Sequence, residues 1–312
     1  MSTIELLQNS LENKVVQNKD ISHFLTLKTK TKAEFYITAE TKDDIVKAVR
    51  AAIYAKIPFF ILGGGSNLAI LKDQIPGLVI HNRYLKKEIL SEDDTTVDLL
   101  LSSGYPMSLV VKETIAMGLS GFEYHLGLPG TIGGAIYMNS KWTKPLAYCG
   151  DSLAYAIILN QQQEERKVDR DYFKFAYDFS ILQHTKEIVL EAVFRLKKED
   201  KKVLQERADT ALAYRKETQP VGVATGGCFF QNISEDQKEK AHVPTTSAGY
   251  LIDKAGLKGK QVGSYVVSDK HANFIINTGE GKPADLHKLL DIIKATIKEK
   301  FGVELEEEVR II

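Results

Sequence analysis

The spacing of apolar residues predicts two amphipathic helices, one towards each end of the chain. Between residues 45 and 53 apolar side chains recur on one helical face. Thr41 with Asp44 three positions later forms a capping-box start, so this helix is predicted to run to about Lys56. Apolar residues on one side of 286–297 predict a second helix, from Pro283 to about Phe301.

Short apolar runs bounded by turn residues predict the strands. They cover 34–38, 59–62, 68–71, 78–81, 96–101, 153–159, 188–197, 261–267, 273–277 and 304–311. Further helices are predicted at 107–117 after Pro106, from the charged stretch 197–202 to about 216, and at 248–255. Interleaved strands and helices without an internal repeat indicate a mixed α+β protein.

Length and charge narrow the class of protein. A chain of 312 residues exceeds what one hydrophobic core usually supports, so two or three domains are expected. Its 44% hydrophobic and 26% charged residues are typical of a soluble globular protein. Lys plus Arg equals Asp plus Glu at 41 each, so no overall field attracts nucleic acid or an anionic membrane, and neither is expected as a partner.

The two cysteines, Cys149 and Cys228, lie far apart and have no CxxC partner or nearby histidine at ligand spacing. Neither a metal site nor a disulfide framework is therefore expected, and a reducing compartment fits best. The first residues contain no apolar run of signal-peptide length, and the apolar stretch 57–71 is interrupted by glycine, serine and asparagine. A cytoplasmic location is expected.

The first glycine-rich loop follows a predicted strand. It lacks the Lys-Ser/Thr pair of a P-loop, and no GxGxxG opens a helix here, so a Rossmann site is not indicated. Two interpretations remain, a tight turn between strands or a nest of backbone amides that binds an anion. The candidate residues are Leu62, Gly63, Gly64, Gly65, Ser66 and Asn67.

A second glycine-rich loop, 127–135, lies within one domain length of the first. Two such loops can clamp the diphosphate of a dinucleotide outside a Rossmann fold, because glycines permit close backbone approach. The hydroxyl of Thr131 can serve a phosphate or the edge of a flavin ring. The candidate residues are Pro129, Gly130, Thr131, Gly133, Gly134 and Ala135.

Four blocks of sequence resemble the UDP-N-acetylenolpyruvoylglucosamine reductase (MurB) family. They are 61–68, 127–139 (GLPGTIGGAIYMN), 226–232 (GGCFFQN) after Gln219-Pro220, and 248–312. The likeness runs in order from about Pro58 to the end of the chain. A long tyrosine-bearing loop is missing from the last block, which resembles the shorter of the family's two main types.

The resemblance implies a fold and a division into domains. The expected fold is an FAD-binding domain of the vanillyl-alcohol-oxidase/PCMH type with two subdomains, followed by a MurB-type α+β substrate domain. The first subdomain would be 1–78, to which the last strand, 303–312, returns. The second would be 79–203, and the substrate domain 204–302.

The resemblance also implies an activity. NADPH, as co-substrate, would reduce FAD, and the reduced flavin would convert UDP-N-acetylglucosamine enolpyruvate to UDP-N-acetylmuramate, a precursor of bacterial peptidoglycan. A monomeric enzyme is expected. Two alternatives stay open: a flavin-dependent oxidoreductase of the same fold with another substrate, and a catalytically impaired homologue that binds FAD and the UDP-sugar.

Two residues match catalytic positions of the family. Cys228 stands where the family has a proton-donating serine, and a thiol, with a reference pKa of about 8.5, is mostly protonated at pH 7 and more acidic than a hydroxyl. Glu308 matches the catalytic glutamate. The alternatives are a small core cysteine and a solvated acidic strand end. Strand alternation would put Glu306 and Arg310 on the face of Glu308, where Arg310 would bind an anionic part of the substrate.

One position departs from the family pattern. Asp178 stands where the family has a catalytic arginine, which reverses the charge beside a substrate carboxylate. Either another cation replaces it, with Arg215 or Lys216 as candidates, or the local chain is arranged differently. The remaining substrate-binding candidates are Asn232, Lys270 and His271, the last of which is equally compatible with a surface turn.

Overall fold

A computed structural model describes residues 2–312, in which the chain forms two units. The first unit comprises the chain up to Gln17, Glu34–Gly64 and Pro76–Arg215. The second comprises Asn18–Ala33, Gly65–Ile75 and Lys216–Ile312. The three domains inferred from the sequence, 1–78 with 303–312, 79–203 and 204–302, are a different division and stay a prediction.

The strands, in chain order, are β1 (Val16–Asp20), β2 (Lys32–Ala39), β3 (Phe59–Leu62), β4 (Leu68–Ala69), β5 (Gln74–Asn82), β6 (Lys87–Glu92), β7 (Thr96–Ser102), β8 (Leu119–Ser120), β9 (Lys141–Thr143), β10 (Leu146–Tyr148), β11 (Leu153–Leu159), β12 (Glu165–Asp169), β13 (Ile188–Lys198), β14 (Ala224–Cys228), β15 (Gln261–Val262), β16 (Tyr265–Val267), β17 (Phe274–Asn277) and β18 (Arg310–Ile311). The helices are α1 (Thr3–Ser10), α2 (Lys42–Tyr54), α3 (Met107–Met117), α4 (Ile132–Met138), α5 (Leu182–Thr185), α6 (Lys201–Thr218), α7 (Glu235–Lys240), α8 (Ala248–Lys254) and α9 (Pro283–Phe301).

Most of the first unit is built on two sheets. One has the order β1-β2-β5-β3, with β3 parallel to β5. The other is antiparallel, in the order β12-β11-β13-β7-β6, and β8 pairs with the far end of β13. Each sheet has its own hydrophobic core. The first glycine loop follows β3, and the second leads into α4.

Helix α2 forms where the sequence predicts it. Thr41 Oγ1 accepts from the Asp44 N–H at 3.1 Å and the Asp44 carboxylate accepts from the Thr41 N–H at 3.0 Å, which completes the capping box. Ile45 and Val49 are buried on the predicted face, whereas Ile53 is 40% exposed. The buried face therefore ends at Ala52, one residue before the last apolar position of the pattern.

The second unit is organised around α9. Its apolar face is buried as predicted, and each large aliphatic side chain removed from water contributes roughly 1.5–3 kcal/mol. The antiparallel sheet β14-β17-β16-β15 and the parallel pair β4-β18 complete the unit. Phe229 and Phe230, directly after β14, are fully buried in the same core.

The predicted strand 304–311 is wrong in extent, because only Arg310–Ile311 is a strand. Before it the backbone pairs irregularly: the Gln231 N–H donates to Glu306 O at 2.9 Å, and Glu307 forms a single bridge with Phe230. Strand alternation therefore does not place Glu306, Glu308 and Arg310 on one face. The predicted strand 261–267 is also divided, into the hairpin β15-β16.

Some elements have no counterpart in the predicted pattern. Helix α4 begins inside the second glycine loop, and β14 lies in the GGC segment. Within the described part of the chain, no helix is both long and apolar enough to cross a membrane.

His125 is a buried titratable side chain in the first unit. It ends a single 3-10 turn, Glu123–His125, and is 1% exposed. Its Nε2 lies 3.3 Å from the Ser140 carbonyl oxygen, which can only accept, so Nε2 carries the proton. Burial lowers the pKa of His125 below its ordinary value.

This burial predicts a loss of stability in acid. Below about pH 6.5 the unfolded chain binds a proton at this histidine that the folded chain resists, so the free energy of unfolding should fall by up to about 1.4 kcal/mol per pH unit from this group. In His125→Gln, which keeps a donor for Ser140, urea unfolding between pH 7 and 5 should show a smaller decline. His287→Gln, at a 60% exposed position, is the control. An unchanged decline in His125→Gln would contradict the assignment.

Candidate active site

The two glycine loops meet within the first unit. A Cβ atom on Gly63 would lie 2.7 Å from Thr131 Oγ1, and one on Gly64 would lie 2.6 Å from the Cα of Gly130. Real Cβ atoms do not approach backbone atoms this closely, so the contact requires glycine at position 64, whereas a Cβ on Gly63 would displace the side-chain hydroxyl of Thr131. Leu62 before them is fully buried and anchors the loop to β3. The two loops thus pack directly against each other at Gly64 and Gly130.

The second loop is held by backbone hydrogen bonds. The N–H of Ile132 donates to Tyr105 O at 3.0 Å and that of Gly133 to Ser103 O at 2.8 Å. The N–H of Ala135 donates to Thr131 O at 2.9 Å within the first turn of α4. These amides therefore do not converge on an anion as the nest interpretation expected. The exposed residues of this loop are Gly127, Pro129 and Gly134.

The rest of the first loop belongs to the second unit. Gly65 has φ +61°, and a Cβ there would lie 2.3 Å from Phe24 O. Ser66 is half-buried. Asn67 donates from Nδ2 to Glu308 O at 3.2 Å, and its own carbonyl accepts from the Arg310 N–H at 2.9 Å. The loop thus leads directly into the pairing of β4 with β18.

The structure brings the segments of Cys228 and Glu308 together in the second unit. Cys228 ends β14 after an irregularity in register against β17, and Gly227 before it has φ +88°. The next carbonyl, Phe229 O, accepts from the Glu308 N–H at 2.8 Å. Both catalytic candidates are half-buried. Cys149, in contrast, is fully buried, and burial raises the pKa of its thiol to about 12, so it is unreactive.

The other substrate-binding candidates of the second unit have separate surroundings. Asn232 is exposed, accepts from the Ala248 N–H at 3.3 Å, and lines an open pocket with Glu304 and Glu306. Lys270 donates from Nζ to Lys216 O at 2.6 Å. Arg310 is exposed. Lys298 Nζ lies 2.6 Å from a carboxylate oxygen of Glu304, so one of the two negative charges is compensated, and the assignment of Asn232 to the substrate stays a prediction.

His271 is half-buried in the turn that precedes β17. Its Nδ1 accepts from the Asn273 N–H at 3.3 Å, and its ring contacts Phe274 edge to face. Burial lowers the pKa of His271 below its ordinary value. A neutral imidazole that accepts from the backbone supports this turn, and a role of His271 in binding the substrate stays a prediction.

Asp178 is paired with a lysine that the sequence interpretation missed. Lys141 Nζ lies 2.5 and 2.6 Å from the two carboxylate oxygens, and these side chains are 12% and 5% exposed. The ammonium also lies 3.8 Å from the centroid of the Tyr177 ring. Asp178 adopts φ +50°, and its carbonyl accepts from Gln183 Nε2 at 2.8 Å. The negative charge is therefore neutralised locally.

Arg215, one of the cations considered for this role, packs elsewhere in the first unit. Its guanidinium lies 4.8 Å from the centroid of Trp142, which is 4% exposed. Lys141 directly precedes Trp142 in the hairpin β9-β10, and no sequence motif marks this lysine as the partner of Asp178. Among the described residues, His, Cys, Asp and Glu side chains form no group of three suited to a metal ion.

Family models match both parts of the chain. Residues 33–153 match the model described as FAD binding domain. Residues 219–312 match the model described as UDP-N-acetylenolpyruvoylglucosamine reductase, C-terminal domain. The cofactor indicated by the first match is FAD.

Similar proteins cover almost the whole chain. The UDP-N-acetylenolpyruvoylglucosamine reductase of Listeria innocua is 35% identical over 298 residues, 95% of this chain and 94% of that protein. The Staphylococcus aureus protein of the same name is 33% identical over 99% of this chain and 95% of its own length.

Solved structures agree. The crystal structure of the Thermus caldophilus UDP-N-acetylenolpyruvylglucosamine reductase (MurB) has a TM-score of 0.77 at 27% identity and covers 95% of this chain and 97% of that one. A vanillyl-alcohol-oxidase-type flavoprotein from Myceliophthora thermophila, at 7% identity and a TM-score of 0.57, covers 96% and 85% and shares the fold alone. The predicted α+β fold class, with an FAD-binding part and a MurB-type C-terminal part, is confirmed.

The close contact between the two glycine loops predicts that a larger residue at Gly64 weakens the binding of FAD. A methyl group at Gly64 must displace the backbone of Gly130, and overpacking of this kind costs about 1–3 kcal/mol. Gly64→Ala should therefore bind FAD about tenfold more weakly or worse in a titration of apoprotein followed by flavin fluorescence. Gly279→Ala, whose Cβ would lie an ordinary 3.4 Å from Ser264 Oγ, is the control. Normal FAD affinity in folded Gly64→Ala would contradict the assignment of the two glycine loops to FAD binding.

The Lys141–Asp178 pair predicts a large coupling energy. Asp178→Asn leaves a buried ammonium without its counter-charge, and Lys141→Met leaves a buried carboxylate, so each should lower the free energy of unfolding by about 3–5 kcal/mol in urea. The double variant should lose much less than the sum. Asp236→Asn, which breaks an exposed pair with Lys240, should cost less than about 1 kcal/mol. Additive losses in the double variant would rule out the pairing.

Proposed function

Since the chain belongs to the UDP-N-acetylenolpyruvoylglucosamine reductase family, we propose that it reduces UDP-N-acetylglucosamine enolpyruvate to UDP-N-acetylmuramate with NADPH as co-substrate and FAD as cofactor. The observation that carries the proposal is the apposition of the Cys228 and Glu308 segments, joined by the hydrogen bond between Phe229 O and the Glu308 N–H. The reaction contributes to the synthesis of a peptidoglycan precursor.

The residues of the two glycine loops fit the cofactor. FAD bound there would supply the hydride-transfer chemistry between NADPH and the substrate. Gly63 and Gly64 let the two loops pack closely together, because a Cβ on either would collide with the second loop, and main chain free of side chains can approach a diphosphate or a flat ring at close range. Thr131 adds a hydroxyl at the point where the loops touch. We assign these residues to binding the cofactor.

Cys228 is assigned as the proton donor. Addition of hydride to one carbon of the enolpyruvyl double bond requires a proton on the other, and a thiol is a stronger acid than the hydroxyl of a serine. Gly226 and Gly227 shape the end of β14, where Gly227 has φ +88° and the register against β17 shifts just before Cys228. Glu308, across the Phe229 hydrogen bond, assists this protonation.

Lys141 is assigned as the positive charge near Asp178. The family pattern has an arginine at position 178, and Asp178 instead holds Lys141 through both carboxylate oxygens. The paired lysine still presents its ammonium beside the exposed ring of Tyr177. The weaker net charge favours, as a second candidate, a homologue that binds FAD and UDP-sugar without turnover.

We also propose that the protein works as a monomer in the cytoplasm. Size-exclusion chromatography with light scattering tests the oligomeric state. A dimer at working concentration would contradict it.

The donor assignment predicts a split between the two half-reactions. Under anaerobic conditions, Cys228→Ala should be reduced by NADPH at nearly the normal rate, because no proton is needed on the sugar in that step. Its reoxidation by UDP-N-acetylglucosamine enolpyruvate should slow by about 100-fold or more, the usual contribution of a general acid. Stopped-flow absorbance of the flavin follows both steps.

Cys228→Ser is the matched control, because a hydroxyl restores a donor, and it should keep appreciable reoxidation. Normal reoxidation in Cys228→Ala would move the donor role to another group. A wild-type flavin that stays reduced after substrate is added would support the non-catalytic homologue or another substrate.

A further inference from the structure

The side-chain amide of Asn273 forms the pair of hydrogen bonds with Phe230 that the backbone of a neighbouring strand would form. It is 3% exposed and directly precedes β17. Its Oδ1 accepts from the Phe230 N–H at 3.0 Å, and its Nδ2 donates to Phe230 O at 2.7 Å. A side-chain amide that exchanges both bonds with one residue reproduces a hydrogen-bonded pair of an antiparallel ladder.

This side-chain pair continues the ladder just past Cys228. The pairing of β14 with β17 ends at Cys228 opposite Phe274. Beyond it, the Phe229 N–H donates to Asn273 O at 2.9 Å, and the amide of Asn273 then pairs with Phe230. The chain that leaves Cys228 is therefore held in line for two more residues.

The opposite edge of the same segment is held by the C-terminal chain. Phe229 O accepts from the Glu308 N–H at 2.8 Å, and Phe230 bridges Glu307. Residues 229 and 230 thus lie between Asn273 on one side and the Glu308 segment on the other. Their side chains are fully buried, so replacing the hydrogen bonds along either edge by hydrogen bonds to water would be costly.

We propose that Asn273 is a positioning residue that fixes Cys228 relative to Glu308. It touches neither substrate nor cofactor in this account and acts through Phe229 and Phe230. The catalytic consequence rests on the proposed function. The positioning itself does not, because the geometry of Cys228 has a readout without substrate.

The sharpest variant is Asn273→Asp. It has the same shape and keeps an acceptor for the Phe230 N–H, but it replaces the donor to Phe230 O with a second oxygen, so two acceptors face each other. Asn277→Asp is the matched control at the other end of β17. Asn277 is 6% exposed and donates to Leu27 O at 3.0 Å. Asn277→Asp therefore removes a comparable buried donor away from Cys228.

Three readouts on the FAD-loaded protein decide the question. Reduction by NADPH should stay within about twofold in Asn273→Asp, whereas reoxidation by the enolpyruvyl substrate should slow by about 10- to 100-fold, the cost of a misplaced catalytic group. Alkylation of Cys228 by iodoacetamide should speed up by about fivefold or more, since the loosened segment opens more often. Cys149 is fully buried and does not contribute. Asn277→Asp should show neither change.

The outcomes separate the two claims. If Asn273→Asp alkylates and reoxidises like the wild type, or if Asn277→Asp reproduces its changes at equal loss of stability, Asn273 has a structural role only and the proposal is overturned. If the wild type is not reoxidised by the substrate, the proposed function fails, and the alkylation rates still decide the positioning. Should Asn273→Asp fail to fold, Asn273→Ser, smaller and uncharged, carries the same comparison.

Discussion

The pairing of the chain after Cys228 with the C-terminal segment is the interaction on which the proposed chemistry depends. The hydrogen bond from the Glu308 N–H to Phe229 O joins the residue after β14 to a segment 79 residues later in the chain. Because Phe229 and Phe230 are fully buried in the α9 core, breaking this pair leaves polar backbone atoms without water, at roughly 1–3 kcal/mol per group. The core therefore enforces the spacing of the two catalytic candidates.

Much of the fold could be predicted because its elements are periodic and locally capped. Helix α9 begins and ends at the predicted residues, with Pro283 at its start and Gly302 in the left-handed conformation after it. The last strand was overestimated because residues 304–311 pair in turn with Gln231, Phe229 and Asn67, and no single ladder imposes an alternation. Helix α4 was missed because Gly133 and Gly134 suppress the helical signal.

The site could be predicted in part. Glycine at 64 is explained by contact with the backbone of Gly130, and glycine at 130 by its φ of +115°, which the composition of the loops already suggested. The partner of Asp178 could not be found from the sequence, since Lys141 is 37 residues away and lies in a hairpin with no motif. Asn273 was likewise invisible, because an asparagine before a strand usually indicates a turn and here completes a ladder.

The most direct test is to incubate the FAD-loaded protein anaerobically with NADPH and UDP-N-acetylglucosamine enolpyruvate and to identify the sugar nucleotide by mass spectrometry. The account predicts conversion to a product with two added hydrogens that matches UDP-N-acetylmuramate, with one NADPH oxidised per product. Recovery of the unchanged enolpyruvyl ether, with the flavin left reduced, would contradict it.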